Sequence, residues 1–222
     1  LGLRVTIPKV SVPEEAAAAA KAIDIIEKRW GLSNVFDIEL MIETPESIIG
    51  PDGRCGIPAL VKAAGGSCVA LHFGVYDYTA SVGITAQHQS MTHPACDHAR
   101  HAMQVATAGT PLMVCDGATN IMPIAPHRGD DLTPEQEAAN RASVHSAWKR
   151  HYDDVRHSLR HGFYQGWDLN PAQLPTRYAA VYAFYLEALD AATERLRTFV
   201  ERAARATLVL SLIHISEPTR QK

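Results

Sequence analysis

Two carboxylates each follow an apolar segment of the chain, in positions where an enzyme could use them together. Glu43 ends segment 36–43, in which alternate residues are apolar, and Asp77 follows the buried segment 67–73. About one βα unit separates them, so we expect two parallel strands whose carboxyl ends share one rim. Two carboxylates on one rim suit a hard divalent cation such as Mg²⁺, which leaves coordination positions for water and substrate oxygens.

The residues around Asp77 allow two interpretations. Gly74 lets the backbone turn or approach a ligand closely, and Tyr76 places an aromatic ring beside the carboxylate. An isolated Asp at this position would favour a cap for the short helix that follows. The second carboxylate, Glu43, shifts the balance towards a site. We therefore predict that Glu43 and Asp77 bind metal and that Gly74 and Tyr76 contact substrate.

Two further residues at the ends of predicted strands are assigned to catalysis. Asp116 follows strand 111–115 and could orient a metal-bound water or a substrate hydroxyl, and an Asp-Gly turn is the alternative. Gly117, next to it, is assigned to substrate binding. Lys9 ends the first strand and points towards the rim that carries Glu43. It could face a substrate carboxylate or form a salt bridge at the strand end, and both interpretations stay open.

A histidine-rich stretch at 93–101 raises the alternative of a zinc site. Cys96 and His98 cannot share a helical face, whereas His98 and His101 could. No second cluster of matching spacing occurs in the sequence, so we expect an ordinary helix with exposed histidines. Further along the chain, histidines recur at intervals of six residues, which places them on no single face of a helix: His145, His151 and His157.

A strand followed by a helix recurs about five times, which predicts an α/β protein with a parallel sheet. Apolar residues alternate in the predicted strands and recur at helical spacing in the predicted helices. The expected strands are 3–10, 36–43, 67–73, 111–115 and 162–169, and the expected helices are 14–30, 54–64, 94–108, 133–160 and 176–206.

Local signals bound the first helix. Ser11 and Glu14 form a capping box before it, and Gly31 follows it as the residue that ends the helix. The apolar stripe that we expect it to bury consists of Ile23, Ile26 and Trp30.

The last predicted helix has an aromatic side. Its apolar residues at helical spacing favour either core packing or an oligomer interface, and we expect a homo-oligomer. These residues are Tyr178, Tyr182, Tyr185 and Leu189.

Composition excludes several classes of protein. The chain is 46% hydrophobic and 20% charged, as in ordinary globular proteins, and its net charge of −3 does not favour binding to nucleic acid. It has no apolar run long enough to span a bilayer, and no Gly-x-Ser-x-Gly sequence of a serine hydrolase. Its four cysteines form no C-x-x-C pair, so we expect buried free thiols in a reducing compartment, the cytoplasm.

Four short sequences, in the correct order, resemble those of the HpcH/HpaI aldolase and citrate lyase β-subunit superfamily. The two that carry the metal ligands are Ile-Glu-Thr-Pro at 42–45 and Phe-Gly-x-x-Asp-Tyr at 73–78. Ile-Pro-Lys-Val at 7–10 is similar to the Pro-Lys strand that precedes the metal Glu. The stretch 166–173 is similar to a Gly-x-x-x-x-His-Pro-x-Gln element near the last strand, with Asn170 in place of the usual His.

The resemblance implies an activity and a cofactor. Members are TIM (β/α)8 barrels of the phosphoenolpyruvate/pyruvate-binding type that use Mg²⁺, or Mn²⁺, to make or break carbon–carbon bonds. It therefore implies a lyase acting on a 2-oxo acid or acyl-CoA substrate through a metal-stabilised enolate, with Glu43 and Asp77 as metal ligands. It also implies an acidic residue at the end of the fourth strand, where Asp116 stands. The long insertion between the last two strands indicates a divergent, uncharacterised aldolase-like branch.

Two other functions remain as alternatives. A Claisen-type condensing enzyme resembling malate synthase would share the metal site but use an acyl-CoA and a general-base carboxylate from another segment. A non-catalytic barrel would bind a metabolite without depending on metal.

The length of the chain is short for a whole barrel, which needs about 250 residues. We expect residues 1–207 to be the C-terminal part of one barrel domain, approximately strands 4–8, and 208–222 to be a non-native read-through tail. The oxyanion-stabilising Arg and the general base of the superfamily would then lie in strands before residue 1. An open doubly wound sheet is the alternative fold, but no Gly-x-Gly-x-x-Gly sequence or P-loop opens the first βα turn.

Overall fold

A parallel four-stranded sheet forms the centre of the fold. The computed structural model describes residues 2–215, with only the backbone described for 206–215. The strands lie in the order β1-β2-β3-β4 and are all parallel. Because Ile7 pairs with Leu40 and Ile42 pairs with Phe73, the carboxyl ends of β1 to β3 meet at one edge. The bounds are β1 Leu3–Ile7, β2 Phe36–Ile42, β3 Cys68–Phe73 and β4 Met113–Cys115.

Seven α-helices connect and cover the strands in the described part of the chain. Their bounds are α1 Pro13–Trp30, α2 Pro45–Ile48, α3 Ile57–Ala63, α4 Val75–Ser81, α5 Pro94–Thr107, α6 Pro134–Arg160 and α7 Leu174–Ile215. Within the described residues, none of these helices is long and apolar enough to cross a bilayer.

The two faces of the sheet differ in polarity. Ile38, Leu40 and Ile42 of β2 are fully buried in the main apolar cluster together with residues of the helices. The intervening residue Glu39 faces the other side, where its carboxylate accepts a hydrogen bond from Thr6 Oγ1 at 2.7 Å and lies 3.5 Å from His72 Nδ1. The alternation of β2 therefore separates an apolar, helix-covered face from a polar face.

The local signals for strands and helices are largely confirmed. Gly31 adopts a left-handed φ of 66° at the end of α1, and Thr133 and Gln136 form the capping box of α6. The box of α1 is displaced by one residue: Glu15, not Glu14, accepts from the backbone N–H groups of Ser11 and Val12.

The predicted buried stripe of α1 is wrong. Ala16 is the buried residue of this helix and Ile23 is partly buried, whereas Ile26 is 43% and Trp30 68% exposed. The apolar spacing identified the helix correctly but placed the contact face too close to its C-terminal end.

The predicted fifth strand at 162–169 is also wrong. Gln165 alone pairs with the sheet, through one parallel bridge to Cys115. Among the described residues the sheet has four strands, and its position within a larger barrel stays a prediction.

The C-terminal helix α7 is longer than predicted. Its backbone continues to Ile215, and residues 216–222 of the predicted tail lie outside the described residues. The four side chains of its predicted aromatic side, Tyr178, Tyr182, Tyr185 and Leu189, are between 52% and 64% exposed, which contradicts core packing for them. An oligomer interface on this side stays a prediction.

All four cysteines are free. Cys68 and Cys96 are buried and Cys115 is partly buried, as expected, but Cys55 is exposed.

Candidate active site

A cavity at the carboxyl edge of the sheet collects most of the predicted site residues. It has a volume of about 140 Å³ and is lined by both predicted metal ligands, Glu43 and Asp77. Glu43 directly follows β2, and Asp77 lies in the first turn of α4, just beyond β3. All three predicted substrate-binding residues also line it: Gly74, Tyr76 and Gly117.

Two glycines allow the chain segments around this cavity to approach closely. A Cβ atom on Gly74 would lie 2.3 Å from Glu43 Oε2 and 2.5 Å from Glu43 Cβ. A Cβ atom on Gly117 would lie 2.6 Å from Val75 Cγ2 and 2.9 Å from the carbonyl oxygen of Phe73. Neither approach is possible with a larger residue, so both glycines are required by the packing of the site.

Lys9 contacts both carboxylates. Its backbone N–H donates to Glu43 Oε1 at 2.7 Å, and its ammonium lies 2.6 Å from Asp77 Oδ2. The residue adopts a left-handed φ of 54°, an uncommon conformation outside glycine. The salt-bridge interpretation of Lys9 is therefore realised, in a pair whose side chains are 64% and 54% exposed.

The two carboxylates differ in their affinity for protons. Burial raises the pKa of Glu43, and the neighbouring charge of Asp77 adds to the effect. The hydrogen bond from Lys9 lowers the pKa of Asp77. The site thus combines a buried carboxyl group whose pKa is raised with a neighbouring carboxyl group whose pKa is lowered.

This donor set fits a hard divalent cation. Both groups offer carboxylate oxygens, the ligands that Mg²⁺ and Mn²⁺ prefer. Asp77 already lies against a positive charge, the Lys9 ammonium, and the buried Glu43 would lose its resistance to ionisation beside a cation. Mg²⁺ is commonly bound through one or two carboxylates and retains several waters, so two protein ligands suffice.

Asp116 follows β4 at the carboxyl edge of the sheet, as predicted, but its contacts hold the carboxylate outside the cavity. Asp116 is fully buried and accepts from Arg100 Nε at 2.8 and 2.9 Å, from Ser158 Oγ at 2.5 Å and from the backbone N–H of Gly117 at 2.8 Å. It does not line the cavity. The strand end was located correctly, but the buried guanidinium of Arg100 turns the carboxylate towards α5 and α6. Through the hydrogen bond that it accepts from the Gly117 N–H, Asp116 helps to hold a residue of the cavity wall in place.

A loop after α6 supplies cavity residues that we had not assigned. Trp167 and Leu169 line the cavity, and the Trp167 ring packs edge-on against His72 with centroids 5.3 Å apart. Gln173 fixes this loop, since its Oε1 accepts from Leu169 N at 2.9 Å and its Nε2 donates to the carbonyl of Thr119 at 3.1 Å. The resemblance at 166–173 contained the signal, because Gln173 is the last residue of that element.

A second set of polar side chains anchors the same loop and was not predicted. Asp168 accepts from Arg177 Nε at 2.6 Å and lies 2.8 Å from His151 Nε2. His151 Nδ1 lies 2.7 Å from Thr176 Oγ1. Burial alone would raise the pKa of Asp168, but the hydrogen bonds from His151 and Arg177 outweigh it and lower this pKa to about 2. These partners come from different segments, so no local sequence pattern could reveal them.

The sequence as a whole matches one family model, described as "Domain of unknown function (DUF6986)", over residues 1–218. The chain belongs to that family. No curated protein matches it in sequence.

Solved structures of citrate lyases and malate synthases share the fold. A citrate lyase from Burkholderia xenovorans LB400 is similar with a TM-score of 0.58 and 17% identity, over 92% of this chain and 64% of that one. The citrate lyase beta subunit of M. tuberculosis, complexed with oxaloacetate and magnesium, gives 0.51 and 13%, over 80% and 60%. Malate synthase of Haloferax volcanii, in a ternary complex with pyruvate and acetyl-CoA, gives 0.55 and 16%, over 79% and 40%.

These similarities agree with the parallel α/β fold predicted from the sequence. The chain spans less than two thirds of the length of each of these three structures. At such identities the likeness establishes a shared fold, while the superfamily, its divergent branch and the reaction stay predictions.

Proposed function

We propose that this chain carries the metal site of a divalent-metal-dependent carbon–carbon lyase, similar to an aldolase or a citrate lyase. The observation that carries the proposal is the convergence of Glu43 and Asp77 on one cavity at the carboxyl edge of a parallel sheet. That edge is where barrel enzymes of this architecture place their catalytic groups.

Glu43 and Asp77 would hold Mg²⁺ or Mn²⁺. When bound, such an ion supplies a Lewis acid that stabilises negative charge on a substrate oxygen. Gly74 and Gly117 contribute only backbone to the cavity wall, so a flat 2-oxo acid could lie against the chain at these two positions. Lys9, exposed beside Asp77, would pair with a substrate carboxylate and so orient the acid.

The solved relatives support this choice of substrate class. The M. tuberculosis citrate lyase beta subunit is complexed with oxaloacetate and magnesium, a 2-oxo acid and a divalent cation. The volume of about 140 Å³ favours a small acid bound in the cavity, and the larger part of an acyl-CoA would have to extend outside it. The activity of the whole protein is part of the proposal, because its relatives are longer than this chain.

A Claisen condensation is the second candidate. The malate synthase complex contains pyruvate and acetyl-CoA, and its similarity to this chain lies between those of the two citrate lyases. This reaction would also use the Glu43–Asp77 site, so the two candidates differ in the second substrate and not in the metal.

Exchange of the pyruvate methyl protons into deuterated water, followed by NMR with and without Mg²⁺ on a chain extended at its N-terminus by the expected earlier strands, tests the proposal. We expect Mg²⁺-dependent exchange that is lost in Glu43→Gln and in Asp77→Asn. Glu46→Gln is the matched control, since Glu46 is an exposed carboxylate on α2 that does not line the cavity. Exchange that is independent of Mg²⁺, or that survives both substitutions, would contradict a shared metal site.

An acyl-CoA assay then separates the two candidates. Consumption of acetyl-CoA with a 2-oxo acid, measured as release of free thiol, would favour condensation. Cleavage of a larger acid without any acyl-CoA would favour the lyase. A small acid bound equally well with and without Mg²⁺, and unchanged over time, would favour a non-catalytic barrel.

A further inference from the structure

We propose that Asp97, His157 and His161 form a binding site for a transition-metal ion of the Zn²⁺ type, separate from the Glu43–Asp77 site. Asp97 lies in the first turn of α5, His157 lies in the last turn of α6, and His161 is the residue that caps the C-terminal end of α6. Each side chain offers one ligand atom, and these three atoms all lie within 4.8 Å of one another. One ion could therefore contact all three after small side-chain rotations.

The two histidines have the spacing that lets one helix hold one ion. His157 and His161 are four residues apart, so they project from the same side of α6. Their rings are adjacent, with centroids 4.1 Å apart and planes inclined by 32°. The same spacing presents the two histidines of helical zinc motifs to one metal.

The hydrogen bond of His161 prepares it as a ligand. Its Nδ1 lies 2.9 Å from the carbonyl oxygen of His157. A carbonyl oxygen can only accept, so Nδ1 carries the proton, and Nε2 of the neutral ring has a free lone pair. Metal-binding histidines commonly donate their other ring N–H to a backbone carbonyl in this way, which fixes the tautomer and the ring orientation.

Asp97 is held in place by a residue that would not bind metal. Its Oδ1 accepts from Arg100 Nη1 at 3.0 Å and lies 2.8 Å from His157 Nε2. Both contacts use Oδ1, and among the described residues no hydrogen bond is made to Oδ2. On metal binding the neutral ring of His157 would carry its proton on Nδ1, which leaves the Nε2 lone pair that now lies beside Asp97 for the ion.

The chemistry of this donor set differs from that of the cavity. Two imidazole nitrogens and one carboxylate oxygen favour Zn²⁺, Co²⁺ or Ni²⁺, whereas Mg²⁺ prefers oxygen ligands alone. His161 is exposed, and the side chains of His157 and Asp97 are 20% and 34% exposed, so an ion could enter from solvent. Three protein ligands leave a position for water on a tetrahedral ion. Such an ion would join α5 to the end of α6.

Sequence spacing alone had argued against zinc here. The histidine-rich stretch 93–101 contributes one ligand, Asp97, and the other two come from a helix that begins some thirty residues later in the chain. His98 and His101 are exposed and do not belong to the group.

Calorimetric titration of the untagged, metal-free chain with Zn²⁺, in buffer containing millimolar Mg²⁺, tests the proposal. We expect one site whose affinity falls at least about tenfold in His161→Ala and in Asp97→Asn. The matched control is His98→Ala, which removes an exposed histidine of α5 next to Asp97 and should leave the affinity unchanged. Because His161 is exposed, its removal should not unfold the chain.

Two further measurements make the outcome independent of the proposed function. Titration with Co²⁺ should give the visible absorption of a low-coordinate nitrogen site, and it should persist in the Glu43→Gln and Asp77→Asn double variant. In NMR spectra of the imidazole groups, one equivalent of Zn²⁺ should shift the resonances of His157 and His161. Equal affinity in His161→Ala and His98→Ala, or loss of the site in the double variant, would overturn the proposal.

Discussion

Two regions of the molecule place side chains around the same cavity by different means. At the sheet edge, Glu43 and Asp77 follow neighbouring parallel strands, and Gly74 lets one segment lie against the other. In the loop after α6, Trp167 and Leu169 have almost no strand pairing to hold them. Backbone geometry therefore positions the two carboxylates, whereas side-chain hydrogen bonds and charges position the loop that carries Trp167 and Leu169.

The largest effect of a mutation should occur at Asp116, which follows β4 and whose backbone N–H donates to the carbonyl oxygen of Gln165 at the start of the loop. Asp116 and Arg100 are both buried and pair at 2.8 Å, so Asp116→Ala would leave a buried guanidinium with one partner fewer. Breaking a buried ion pair in this way costs about 3–5 kcal/mol of unfolding free energy. Urea denaturation of the wild type and the variant measures it.

The double variant Asp116→Ala with Arg100→Leu sharpens this test, because it removes both charges. We expect it to recover part of the lost stability. A double variant less stable than Asp116→Ala alone would contradict the ion pair as the cause.

The sheet edge around Glu43 should not tolerate a larger residue at Gly74. Gly74→Ala would place a Cβ atom 2.3 Å from Glu43 Oε2, so the carboxylate must move. We expect a loss of about 1–3 kcal/mol in unfolding free energy from overpacking and at least a tenfold loss of Mg²⁺ affinity. Gly50→Ala is the control, since its nearest contact is the side chain of Asp52 at 3.2 Å. Equal effects of the two substitutions on Mg²⁺ affinity would refute the account of Gly74.

The loop after α6, which side-chain hydrogen bonds hold in place, should lose stability in acid. The pKa of Asp168 is lowered to about 2, so its ionised form stabilises the folded chain above its ordinary pKa. This contribution, on the order of 2 kcal/mol, should be lost as the pH falls from about 5 to 2. Asp168→Asn should flatten the acid limb of stability measured by urea denaturation, and Asp153→Asn, at an exposed ion pair, should not.

Glu43 should show the opposite sign. Its pKa is raised in the folded chain, so its ionisation costs stability as the pH rises above its ordinary value. In the absence of divalent ions, the free energy of unfolding of the wild type should fall as the pH rises towards neutral, and Glu43→Gln should reduce this fall. If Glu43→Gln and Asp168→Asn changed the pH dependence of the unfolding free energy in the same direction, the opposite pKa shifts assigned to these two residues would be wrong.

The smallest effect should come from Lys9. Its salt bridge to Asp77 is exposed, so Lys9→Met should change the free energy of unfolding little. If Lys9 orients the substrate, the same change should raise the KM for a 2-oxo acid more than it changes Mg²⁺ affinity. An unchanged KM would show that Lys9 does not orient the substrate and that its role is the salt bridge to Asp77.

The same contrast explains what could be predicted from the sequence. Alternating apolar residues located β2 and β3, and parallel strand ends then placed Glu43 and Asp77 on one edge. The contact between His151 and Asp168 joins a helix to a loop that has no periodic pattern. Asp116 was located correctly, but its orientation depends on Arg100, whose burial no local signal reveals.

Errors at the ends of elements have similar causes. The segment 162–169 is apolar enough to be taken for a strand, but it pairs only at Gln165. In α1, helical spacing does not identify which apolar residues meet a neighbour, and Trp30 lies outside the packed part of the helix. Predictions from periodicity thus held where strands pair side by side and failed where tertiary contacts decide.

Calorimetric titration of the metal-free chain with Mg²⁺ tests directly whether Glu43 and Asp77 share one ion. We expect one site in the wild type, lost in Glu43→Gln and in Asp77→Asn and retained in Glu46→Gln. Mg²⁺ binding that survives both substitutions, or its absence from the wild type, would contradict a divalent cation shared by the two strand ends.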